Sequence, residues 1–158
     1  MKLSTILKAR RTLKSAAPLP ADCGELCGAR CCRGDDGDGV LLLPGEEKLL
    51  FLSPGLKKGR SDNGRLYVSC PGKCVRAFRP FLCRIYPLGI LWERETIRVV
   101  ADPRAKIVCP LLQVPEYIAP SFIAAVRRAG NILARDPEGR AFLRDFTREL
   151  REYHKFIG

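Results

Sequence analysis

The chain has 158 residues, of which 28 are lysine or arginine and 17 aspartate or glutamate, for a formal net charge of +11, with eight cysteines and one histidine. That length suits one domain with a modest core rather than two independent ones, and the charge favours an anionic partner: nucleic acid, membrane or acidic protein. A nucleophile elbow, a phosphate-cradling Gly-Lys-Ser/Thr loop and a second histidine for a conventional metal hydrolase are all missing, so no hydrolase constellation competes.

In chain order, Leu3, Ile6, Leu7 and Leu13 fall near helical spacing among Lys2, Lys8, Arg10, Arg11 and Lys14, which predicts a short amphipathic helix within residues 3–17 with a solvated basic face. An organelle-targeting peptide is also Arg-rich and free of acids, and the first acid here is Asp22. The docked terminal helix is the preferred reading. The N-terminus lacks the apolar run of a secretory signal and no later stretch approaches membrane-spanning length, so the expected location is cytoplasmic. Pro18 and Pro20 stop the helix.

Arg33 to Gly39 is turn chemistry. Aligning Asp36, Asp38 and Gly39 with a calcium loop puts Gly34 at its first position and Gly45 where the bidentate glutamate belongs, so calcium is rejected. Val40 to Leu43 predicts a short strand, and Pro44-Gly45-Glu46-Glu47 reads as the acidic first turn of a helix carrying Leu49, Leu50 and Leu52. Residues 53–64 read as loop, 65–70 as strand, and Ile90 to Val100 as a hairpin turning near Glu93 to Glu95. The segment with Cys70, Cys74 and Cys83 contains three prolines and is expected to be irregular.

From Pro120 the pattern becomes helical: Phe122, Ile123, Val126, Ile132 and Leu133, then Phe142, Leu143, Phe146, Leu150, Tyr153 and Ile157 beyond an Asp136 N-cap and Pro137 at the first helical position. The expected fold is α+β: a small, irregular, metal-stabilised domain with short strands or a hairpin and two C-terminal helices. Its regions are a basic helix over residues 1–20, a cysteine-cluster region over 21–115 and a helical pair over 116–158.

Four cysteines crowd into Cys23, Cys27, Cys31 and Cys32, and Cys70, Cys74, Cys83 and Cys109 follow over the middle of the chain. In a reducing compartment, thiols at this density point to a soft metal, zinc or iron, rather than to a disulfide framework. Eight thiolates suffice for two closed four-thiolate sites, and a closed site leaves no open position for catalysis. The Cys23/Cys27, Cys27/Cys31 and Cys70/Cys74 pairs are each separated by three residues rather than the two of a plain zinc knuckle, which keeps an iron-sulfur cluster open. Adjacent residues in extended backbone point to opposite sides, so Cys31 and Cys32 are expected to face two centres or to bridge a dinuclear one.

These cysteines, with Arg79-Pro80-Phe81-Leu82-Cys83-Arg84-Ile85-Tyr86-Pro87 and Cys109-Pro110, give residues 22–112 a resemblance to the YkgJ-type cysteine-cluster family, described as a zinc- or iron-chelating domain. The family pattern is Cys-x-x-Cys-x-x-Cys-Cys, and this chain has three residues in each gap. The resemblance implies metal chelation by cysteines and no reaction. Arg79 and Arg84 either offset the charge of a thiolate centre or satisfy backbone carbonyls; Tyr86 and Pro87 read as packing, and His154 as a surface residue.

Three function classes follow: a zinc- or iron-binding protein; an iron-sulfur redox protein or oxidoreductase accessory with an acidic protein partner; and a zinc-stabilised nucleic-acid binder. The third rests on Arg127, Arg128, Arg140, Arg144, Arg148 and Arg151, and is weakened by Glu138, Asp145, Glu149 and Glu152 among them.

Overall fold

A computed structural model describes residues 1–32, 39–50, 55–61, 64–69 and 76–157. Cys70, Cys74, Leu52 and the turn at residues 33–38 therefore lie outside the described residues.

Helix α1 (Leu3–Thr12) turns Ile6, Ala9 and Arg10 inward and is followed by a buried Leu13. It packs on α4 (Pro120–Ala134). The two run antiparallel: Lys2 N–H donates to Asp136 beyond the end of α4 at 3.0 Å, and Ala119 N–H, before its start, donates to Pro18 carbonyl at 2.9 Å.

Strands β4 (Leu88–Glu93) and β5 (Thr96–Ala101) form the expected hairpin, in register from Leu88↔Ala101 to Glu93↔Thr96. Its two-residue turn holds Arg94 at φ 48° and Glu95 at φ 61°, the left-handed pair a tight hairpin needs, supplied here without the usual Asn-Gly signal. Helices α4 and α5 (Pro137–Ile157) cover the hairpin. Gly130 permits the close approach of α4, since a Cβ there would sit 3.0 Å from Ile97 and 3.2 Å from Ile90. The main core joins Ile6 and Leu13 to Phe81, Ile90, Phe122 and Phe146, so it draws on the N-terminus, the middle and the C-terminus together. The α+β architecture with two C-terminal helices is as expected.

A second sheet, in the order β1-β3-β2, pairs β1 (Val40–Leu41) and β2 (Lys57–Arg60) with β3 (Leu66–Ser69), all antiparallel, over a small cluster of Leu42, Leu50 and Val68. Strand β2 corrects the reading of residues 53–64 as loop. Lys-Lys-Gly-Arg has no apolar alternation; the strand exists through pairing with β3, and Gly59 leaves room for the Tyr67 ring, whose Cε1 would lie 2.8 Å from a Cβ. The predicted helix after Gly45 is a 3-10 turn, Glu46–Leu49. Glu46 is not a solvated first-turn acid but is fully buried.

Asp136 caps α5 as predicted, one oxygen accepting from Glu138 N–H at 3.0 Å and Gly139 N–H at 3.3 Å. The other oxygen accepts from Lys2 N–H and, at 3.3 Å, from the Thr5 hydroxyl, so one carboxylate fastens two helix starts. Burial raises its pKa, but the Lys2, Gly139 and Thr5 donors outweigh burial and hold it below the usual range. A depressed folded pKa contributes stability above the unfolded value, about 3.9, that is lost as pH falls through the folded one. Asp136→Ala is expected to cost about 2–3 kcal/mol, from the lost cap and the orphaned Lys2 N–H. Asp136→Asn should flatten the acid limb of Tm against pH; an acid limb equal to that of the wild type would refute this role.

Candidate metal centre

The first cysteine segment begins as a short helix. In α2 (Cys23–Cys27), Asp22 accepts from Gly24 N–H at 2.9 Å, and Gly28, at φ 63°, ends the turn as Ala29 N–H donates to Gly24 carbonyl at 2.8 Å. Cys23 and Cys27 are thus four apart on a helix and share a face. Cys32 N–H donates to Ala29 carbonyl at 2.8 Å, closing a 3-10 turn over Arg30–Cys32. That turn corrects the extended reading of the vicinal pair, because the two sulfurs face each other 3.9 Å apart instead of pointing to opposite sides.

Cys83 and Arg84 sit on α3 (Phe81–Ile85), whose position depends on Glu46. Phe81 N–H donates to Glu46 Oε1 at 2.7 Å and Leu43 N–H donates to Oε2 at 3.1 Å, while Arg10 Nη1 lies 3.8 Å from the same carboxylate. Arg10 Nη2 donates to Ala77 carbonyl at 3.1 Å, and Arg84 donates to that carbonyl at 2.6 Å and to Arg79 carbonyl at 2.9 Å. The hydrogen bonds of Arg84 therefore go to backbone, the structural one of its two readings. Cys109 follows a 3-10 turn over Pro103–Ala105, capped by Asp102, and its N–H donates to Ala105 carbonyl at 2.8 Å.

These segments meet around one cavity of about 150 Å³, lined by Cys23, Cys27, Cys31, Cys83 and Cys109 together with Arg76, Arg79, Arg84 and Tyr86. Cys32 lies against Cys31 just behind. Of the six described cysteines, Cys31 is exposed and the other five are half-buried, so none belongs to the apolar core. Among the described residues, no three candidate ligands converge on one ion position. The thiols share a cavity wall rather than a closed coordination sphere. His154 is exposed on α5, as expected.

The cavity's electrostatics are those of a thiol cluster beside arginines. Burial, then Cys27, Asp22 and Cys109, pushes the Cys23 thiol up, and Arg79 pulls it down. Burial likewise raises Cys109. Cys31 and Cys32 titrate as a pair: the contact between their sulfurs brings Cys32 down to about 6, aided by Arg79 against burial, and raises Cys31. Burial lowers Arg84 to about 10, with Arg10, Arg76 and Arg79 adding repulsion against the pull of Glu46. Burial, then Cys109 and Cys31, raises Tyr86, which lines the cavity as well as packing. Thiols are soft donors, and the Arg79 charge favours the ionised form of Cys23 and Cys32 against burial.

Sequence reasoning missed Glu46 and Arg10 as the supports of α3. Arg10 carried a usable signal: four residues after Ile6 and three before Leu13, it lies on the apolar face, and it is 9% exposed. Glu46 carried none, because its partners Leu43, Phe81 and Arg10 are brought together only by folding. Comparison with protein-family models, with curated proteins and with solved structures finds no match.

Proposed function

We propose that this is a metal-binding protein that chelates zinc or iron through cysteine thiolates at the cavity. The observation that carries the reading is the meeting of five thiols from three separate chain segments on one cavity wall. The donor set fits a soft metal: thiolates select zinc or iron-sulfur centres, and Arg76 and Arg79 on the cavity wall would offset the negative charge such a centre carries. Cys23, Cys27, Cys31, Cys83 and Cys109 are the proposed ligands, with Cys32 beside Cys31 and, on the sequence alone, Cys70 and Cys74 as further candidates. The resemblance of residues 22–112 to the cysteine-cluster family supports the same reading, as does a reducing cytoplasm, where the thiols stay available. A bound metal would supply a closed thiolate centre for structural, storage or delivery purposes rather than a catalytic one.

Anaerobic purification with elemental analysis tests this. The expected result is stoichiometric zinc or iron that falls in both Cys27→Ser and Cys109→Ser, since serine keeps the size and offers a far poorer soft ligand. Absorbance near about 400 nm would assign an iron-sulfur cluster and with it the redox role. Protein without metal, and without micromolar uptake of zinc or ferrous ion, would end the proposal.

Metal removal should act locally. Because no described cysteine contributes to the main core, chelation is expected to speed hydrogen exchange at residues 22–32 and 103–112 while leaving the amides of β4, β5 and α4 protected. Equal loss of protection across both regions would show that metal and core are one unit.

A further inference from the structure

The acids that weaken the nucleic-acid reading of the terminal helices all lie on α5. Residues 1–21 and 117–135, which include all of α1 and α4, contain no aspartate or glutamate. These two packed, antiparallel helices and their caps expose Lys2, Lys8, Arg11, Lys14, Arg127, Arg128 and Arg135. Among the described residues, none of the seven makes a salt bridge. The flanking acids are already engaged: Asp136 is buried under four donors, and Glu138 pairs with the Met1 ammonium. Two of the four arginines of α5 are different, Arg148 lying 2.7 Å from Asp145 and Arg151 2.6 Å from Glu93.

We propose that the exposed surface of the α1/α4 pair binds the phosphate backbone of duplex nucleic acid, independently of base sequence. Seven cations without counter-charge form a single-sign field that a polyanion neutralises with release of condensed counterions. Arginine forks suit phosphate oxygens, and α4 extends for about 22 Å, long enough to present its cations to several phosphates. The large apolar side chains exposed on this pair are Leu3 and Leu7, at 40% and 46%. Two half-covered leucines do not make the apolar centre of a protein interface or a stable membrane anchor. No aromatic side chain is exposed on either helix, which removes the stacking platform that single strands use and leaves the duplex backbone. None of the seven cations lines the cysteine cavity, so failure of this proposal would leave the metal proposal standing.

The test is fluorescence anisotropy of the full chain with a random-sequence DNA duplex across a salt series. Binding should weaken with a slope of log affinity against log salt near about −4, as for some four to five phosphates displaced. Arg127→Glu/Arg128→Glu and Lys8→Glu/Arg11→Glu should each raise Kd at least about 10-fold and reduce the slope by about 2, whereas Arg148→Glu/Arg151→Glu on α5, the same charge change at arginines already paired with acids, should raise Kd less than about 3-fold. All substituted positions are exposed, and an unchanged Tm verifies folding. Absence of salt-dependent binding, or equal losses in all three double variants, would overturn the assignment. So would tighter binding to phosphatidylserine vesicles that is weakened by Leu3→Ser/Leu7→Ser, which would make the surface a membrane contact.

Discussion

Glu46→Ala should lower the unfolding free energy by about 3–5 kcal/mol, because it orphans two buried N–H groups and removes the counter-charge from a buried arginine. For a chain of this size the fall in Tm is about 10 °C. The donors left without an acceptor are Leu43 N–H and Phe81 N–H, and the arginine is Arg10. Phe81 begins α3, so its release should also raise the alkylation rate of Cys83, which reports on the site without reference to any metal. Glu46→Gln should cost less, about 1–3 kcal/mol, since a carboxamide has one oxygen to offer two N–H donors. Burial pushes the Glu46 carboxyl above the usual glutamate range, against the Leu43 and Phe81 donors and the pull of Arg10 and Arg84. The folded state therefore holds this proton more tightly than the unfolded chain. That contribution is fully present below the ordinary value of about 4.3 and is lost as pH rises through the folded pKa, the reverse of Asp136. Urea denaturation across this range should show a declining limb that Glu46→Gln removes. A variant Glu46→Ala that melts within about 1 °C of the parent, with unchanged Cys83 alkylation, would refute the anchoring role.

Gly139→Ala should be destabilising by about 3 kcal/mol, at the upper end of the cost of overpacking. A Cβ at this position would collide with the Leu133 carbonyl oxygen, and the carbonyl carbon would lie 2.9 Å from it. Neither atom can give way, because both belong to the backbone at the end of α4 where the chain turns through Asp136 into α5. The sign makes this a clear test: helix propensity alone predicts a gain of about 1 kcal/mol for alanine over glycine inside a helix. Stability at or above that of the parent in thermal denaturation would mean that the joint between α4 and α5 relaxes freely.

Much of the local structure was legible. Strand-forming residues on either side of the charged turn at Glu93 to Glu95 marked the hairpin over Ile90 to Val100, helical spacing marked α4 and α5, and Asp136-Pro137 marked the joint between them; each is a property of near neighbours along the chain. The candidate ligands were legible by type, because eight thiols in a basic chain restrict the chemistry whatever the fold. What was not legible depends on partners far apart in sequence. Strand β2 exists because β3 pairs with it, and the facing sulfurs of Cys31 and Cys32 follow from a turn that no periodicity announces.

The sequence by itself determined α1, α4 and α5, the hairpin, the soft-donor set and the excess of positive charge, since each follows from residue type and short-range spacing. Only the tertiary structure decided which charges are free and which are used. It buried Glu46 and Arg10 beneath α3, spent Arg148 and Arg151 of α5 on nearby acids, and left Arg127 and Arg128 of α4 without a salt bridge among the described residues. It also drew Cys83 and Cys109 to the cavity of Cys23, Cys27 and Cys31. The reason is physical: burying the apolar faces of α1, α4, α5 and the hairpin brings distant polar groups together, and the cost of stranding them in low dielectric sets which must pair.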